Sequence, residues 1–102
     1  AALQGAAEEP LRAGGLALRV LELALRLSEA HTKALASDVG CAAEFAHAAL
    51  AGCAYNVRVN HKYMRDAEVI ARQAEMLACY ESEAANMLEL VRTTVGAALA
   101  KR

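Results

Sequence analysis

The chain has 102 residues, a net charge of −1 and a pI near 6.3, so it allows one domain with a modest core and lacks the basic footprint of a nucleic-acid binder. It is 57% hydrophobic but only 4% aromatic, with no Trp, one Phe and one Pro. Apolar content drawn mostly from Ala and Leu favours closely packed helices over a sheet sandwich, and the expectation is an all-α bundle of long helices with residues 1–102 in one domain.

The opening stretch, AALQGAAEE, has helical composition but no cap. It reads as the tail of an element that began upstream, which suggests a truncated chain or one seen only in part. Pro10 suits a helix start or a kink, with Glu8 and Glu9 ahead of it at the positive helix end. A helix is predicted from about 10 to 30. Arg12, Arg19, Glu22, Arg26 and Glu29 give it one narrow polar stripe, while Leu16, Leu18, Val20, Leu21, Leu23, Leu25 and Leu27 cover nearly all the rest. Such a helix must be covered on several sides. Gly14 and Gly15 lie inside it without the strand-then-helix setting of a phosphate loop, and so mark a kink or a close contact.

A loop is expected at 31–36. Ser37 and Asp38 then offer capping oxygens to a long Ala-rich helix predicted over about 38–60. At 100° per residue, Asp38, Ala42, Phe45, Ala49, Gly52, Asn56 and Asn60 share one side, a seam of small residues ending in two amides at i, i+4. Amides in a buried seam need hydrogen-bond partners, so the seam is either a specificity device in a helical core or part of a ligand site. After a short turn at 61–65, Asp66 is expected to cap a last helix over about 66–99, with Glu68 in its first turn. Ile70, Leu77, Ala84, Val91 and Ala98 recur every seven residues, Ala74, Leu88 and Val95 fill alternate positions, and Glu81 interrupts the seam. A sustained heptad packs along a partner helix.

The pattern Ser37-Asp38-x-Gly40, an Ala-rich helix, then Asn56-Val57-x-Val59-Asn60 with Asp66 shortly after, resembles the cyclodeaminase domain of formiminotetrahydrofolate cyclodeaminases and equally the related methenyltetrahydrofolate cyclohydrolases. The similarity runs from about Pro10 to the last helix and corresponds to the second half of that domain. Thr32 departs from it, since the family usually has Asn ahead of the Ser-Asp pair. The resemblance implies a folate one-carbon enzyme, with a tetrahydrofolate derivative as substrate and no further cofactor. It does not choose between the two reactions, and it implies that the family's acid/base Asp and Gly-rich segment lie in the other half of the domain.

Asn56 and Asn60 are the first candidates for binding the folate ring or the substrate amidine; helix–helix glue is the competing role. Ser37 and Asp38 are caps first, with a second role at an anion or a subunit contact left open. Arg58, His61, Lys62 and Arg65 form a basic cluster that is either a solvated helix end or a clamp for folate carboxylates. Tyr55, Tyr63 and Tyr80 pack in the core or line a pocket. No metal site is expected: His47 and His61 would lie about 21 Å apart along a helix. Cys41 and Cys53, about 18 Å apart, are too distant for a disulfide. Free thiols and the absence of a signal peptide or membrane span in the sequence point to a cytoplasmic protein. The excess apolar surface predicts a homodimer or larger. A non-catalytic helical dimerisation module is the alternative function.

Overall fold

The computed structural model describes residues 2–30 and 35–101, in three helices: α1 (Ala2–Ala30), α2 (Ala36–Tyr63) and α3 (Ala67–Ala100). They form an elongated bundle of 56 × 17 × 16 Å. No strand occurs among the described residues, and Val57–Val59 is helical. The all-α expectation holds.

The boundaries differ from the sequence expectation at three places. First, α1 does not begin at Pro10 but runs through it from Ala2. Pro fixes a φ that helices accept, although it removes one N–H and its ring crowds the carbonyl of Ala6; flanking Ala, Leu and Glu, all strong helix formers, carry the helix across. Second, Ser37 and Asp38 do not cap α2. The N-cap is Leu35, which offers no side-chain hydrogen bond, and both residues lie in the first turn. Acidic Asp38 still suits the positive end of the helix dipole there. Third, α2 continues to Tyr63, leaving only Met64–Asp66 as the connection. Asp66 does cap α3, accepting from the backbone N–H groups of Glu68 and Val69 at 3.1 and 3.2 Å. Thr32 and most of the expected 31–36 loop fall outside the described residues.

The core is narrow because it is built largely from alanine. Ala17 and Ala24 of α1, Ala36, Ala43, Ala46 and Ala54 of α2, and Ala84 of α3 are buried in it. Leu21, Leu77, Val57 and Val91 are its largest fully buried side chains. Small residues let helix axes approach at the short end of the usual 8–10 Å range. Gly14 and Gly15 take this furthest. A Cβ at Gly14 would lie 3.0 Å from Leu50 Cδ1, and one at Gly15 would lie 3.1 Å from Tyr80 Oη. The glycine pair is therefore a close contact in which α1 meets both α2 and α3.

The core face of α2 is Val39, Ala43, Ala46, Leu50, Ala54 and Val57, one residue round from the predicted seam. Ala42, Phe45, Ala49, Gly52 and Asn56 of that seam are exposed, Phe45 to 74%. On α1 a second apolar row, Leu16, Val20, Leu23 and Leu27, is also exposed, while Leu11, Leu18 and Leu21 are buried. In α3 the heptad is buried at Leu77, Ala84 and Val91 as expected, but Ala74 is exposed and Gln73 takes the core position.

Candidate functional site

Ser37 and Asp38 stand at one end of α2, and Asn56, Arg58 and Asn60 near the other. At 1.5 Å per residue the two groups are about 27–35 Å apart along one helix. Within one chain they do not form a single site.

At the carboxyl end, each amide nitrogen is tied to backbone. Asn56 Nδ2 donates to Gly52 O at 3.3 Å, and Asn60 Nδ2 donates to Asn56 O at 2.8 Å. Asn60 Nδ2 also reaches Ala6 O on α1 at 3.4 Å. That acceptor has a cause in the sequence. Ala6 is four residues before Pro10, whose missing N–H leaves the Ala6 carbonyl without its helical donor. A proline in α1 and an amide in α2 thus complement each other. Both Oδ1 atoms remain without a hydrogen bond among the described residues. Two acceptors at i, i+4 on an exposed face are open to an N–H of another molecule.

Arg58 is not available as a free cation. It forms an ion pair with Glu81 of α3, the residue that interrupts the α3 heptad. An apolar seam there would leave Arg58 unpaired. A second tether joins the same helices at the other end: Arg92 Nε and Nη2 donate to the two Glu44 oxygens at 2.7 and 2.8 Å. This bidentate hydrogen bond holds the Glu44 carboxyl below its ordinary value and raises that of Arg92. Neither tether was visible from local spacing, because each joins residues more than twenty positions apart. His61 Nε2 lies 2.9 Å from Gln73 Oε1, which removes His61 from an exposed basic cluster; Lys62 and Arg65 stay exposed.

Tyr55 and Tyr63 are exposed and Tyr80 is half-buried against the core. Cys41 and Cys79 are exposed free thiols, and Cys53 is half-buried. Glu83 beside Cys79 raises its pKa through its charge and a 3.6 Å contact, so Cys79 is held as the poorly nucleophilic thiol. Among the described residues no group of three or more His, Cys, Asp or Glu is placed to hold a metal ion, and no helix is long and apolar enough to cross a membrane.

An apolar groove of 440 Å³ runs between the start of α2 and the end of α3, lined by Ser37, Gly40, Cys41, Phe45, Val95 and Leu99 among others. Of the sequence candidates it contains only Ser37. The amide pair lies outside it.

The sequence model of the family described as formiminotransferase-cyclodeaminase matches residues 1–78, which takes in α1, α2 and the beginning of α3. No curated protein and no solved structure matches the chain.

Proposed function

This chain belongs to the formiminotransferase-cyclodeaminase family, and from that membership we propose that it serves folate one-carbon chemistry as a cytoplasmic homodimer, as a cyclodeaminase or a cyclohydrolase. In the first reaction an amine of tetrahydrofolate attacks the formimino carbon and ammonia leaves. In the second, water attacks the methenyl carbon and the ring opens. Both pass through a tetrahedral carbon between nitrogens, and both call for positioned hydrogen bonds and an acid/base group. The observation that carries the reading is the pair of unclaimed amide oxygens, Asn56 Oδ1 and Asn60 Oδ1, on an exposed face of α2. They suit the N–H groups of a reduced pterin.

The homodimer gives the distant candidates a common place. Along the seam of α2, Asp38 and Asn60 lie equally far from Ala49, and so do Ala42 and Asn56. Two α2 helices crossing antiparallel at Ala49 would set Ser37 and Asp38 of one copy against Asn60 of the other. Phe45 of each would meet the other's Gly52, where a Cβ would have nothing within 4 Å. Arg58, held by Glu81 on the opposite side of α2, lies outside such a site.

Equilibrium binding of a reduced folate to the purified protein, with Asn56→Ala and Asn60→Ala beside it, tests the reading. Expected are saturable binding and a loss in both variants that exceeds any loss of melting temperature. Variants that melt early yet bind normally when folded would reject the site. Absence of saturable folate binding would favour the non-catalytic dimerisation module.

A further inference from the structure

On the side of the bundle formed by α1 and α3 lies a depression of 320 Å³, lined by Glu8, Leu11, Arg12, Arg72, Gln73, Met76 and Tyr80. It is separate from the amide pair and from the apolar groove. Residues 72, 73, 76 and 80 come together because they share one face of α3. Gly15 of α1 leaves room for the Tyr80 hydroxyl, which lies 3.1 Å from the place a Cβ would take.

The polar groups of this depression are mostly donors. Arg72 has no ion pair among the described residues, and the Tyr80 hydroxyl has no hydrogen bond there. Arg12 has only a 3.8 Å contact to Glu9 on its own helix. Gln73 decides the matter, because it is only 5% exposed and so cannot rely on bulk water. Its Oε1 is taken by His61, while its Nε2 has no hydrogen bond among the described residues. A buried amide N–H without a partner is costly. Several unclaimed donors around one hollow call for an acceptor with negative charge.

We propose that this depression binds an organic monocarboxylate, its oxygens on Arg72 and the Gln73 amide and its apolar body on Leu11, Met76 and the Tyr80 ring. Two features select this class over inorganic phosphate. The Leu11 and Met76 walls favour a ligand with an apolar part, and the Tyr80 ring beside them offers a flat apolar face that inorganic phosphate would leave unused. A second depression adjoins the first, sharing Arg72, Met76 and Tyr80 and adding Glu75 and Cys79, so an aromatic ring has room to extend along α3. The site stands independently of the folate reading.

Titration of the ¹⁵N-labelled protein with benzoate, benzamide and inorganic phosphate, followed by NMR, tests it. Benzoate is expected to shift the 72–80 backbone amides and the Gln73 side-chain amide saturably, with benzamide and phosphate each about tenfold weaker or more. Arg72→Gln, at an exposed position, is expected to weaken benzoate about tenfold, the usual loss for a charge-assisted hydrogen bond. Gln73→Leu should weaken it several-fold, and Arg92→Gln, at the far end of the bundle, should leave it unchanged. Equal binding of benzamide, tighter binding of phosphate, no effect of Arg72→Gln, or no saturable shift with benzoate would each overturn the proposal. No folate enters these titrations, so their failure and the failure of the folate reading are distinguishable.

Discussion

At the scale of single residues, Asn60 carries two claims at once, and Pro10 separates them. The Asn60 amide nitrogen meets the Ala6 carbonyl that Pro10 leaves without a donor, while its oxygen stays open. Asn60→Ala should cost about 0.5–1.5 kcal/mol, the usual net value of such a hydrogen bond. Pro10→Ala should raise the melting temperature by restoring the helical donor to Ala6, and in that background Asn60→Ala should cost less. Urea unfolding of the four proteins checks this; an equal cost in both backgrounds would remove the Pro10 explanation. Glu44 gives a second prediction. Its folded-state pKa is depressed, below an ordinary value of 4.5, by the Arg92 hydrogen bonds. Its contribution is therefore complete above the unfolded value and is lost as pH falls through the folded one. Both groups are about half exposed, so the effect is small and sensitive to salt. Thermal melts between pH 6 and pH 3 should fall less steeply in Arg92→Gln than in the parent.

At the scale of helices, two glycines should respond in opposite directions. Alanine is the better helix former by about 0.5–1 kcal/mol. At Gly14 the added methyl meets Leu50 at 3.0 Å in a closed part of the core, and overpacking of about 1–3 kcal/mol outweighs that gain. At Gly52 nothing lies within 4 Å, so Gly52→Ala should stabilise the helix while weakening self-association if Phe45 of a second copy docks there. Melting and sedimentation of both variants measure the two effects separately. The same helices show what their sequence could reveal. Heptad spacing in α3 identified Leu77, Ala84 and Val91 as core, since burial along a helix repeats with the turn. Composition led to the all-α class for a similar reason: Ala and Leu dominate every segment. The core face of α2 was missed because Phe45, Tyr55 and Val59 lie off it while alanines fill both sides, so the burial of Val39, Leu50 and Val57 does not stand out in the hydrophobic pattern. Gln73 was missed because a buried amide looks like a surface residue until its partner, twelve positions back at His61, is seen. The amide pair was legible as residues, and its distance from Ser37 and Asp38 followed from the single helix predicted over 38–60, which the structure extends to Ala36–Tyr63.

At the scale of the whole molecule, the open rows decide how the chain exists in solution. Phe45, Tyr55 and Val59 on α2, and Leu16, Val20, Leu23 and Leu27 on α1, are each about half exposed or more. Apolar rows left open to solvent in this way suit contact with another surface. The antiparallel pairing proposed for α2 makes Ala49 the one seam position that meets itself, and this gives the sharpest test. Ala49 is exposed within the chain, so Ala49→Glu should leave the three-helix fold intact. In a dimer it would set two like charges against each other in a small-residue contact, where they are both desolvated and repelled. Sedimentation at micromolar concentration should show a dimer for the parent and a monomer of unchanged helicity for Ala49→Glu. If the proposed site lies between two α2 helices, the monomeric variant should also lose reduced-folate binding, because Asn60 would no longer face Ser37 and Asp38 of a second copy. A variant that becomes monomeric and keeps full folate affinity would confine the site to one chain. One that stays dimeric would move the interface to the leucine row of α1.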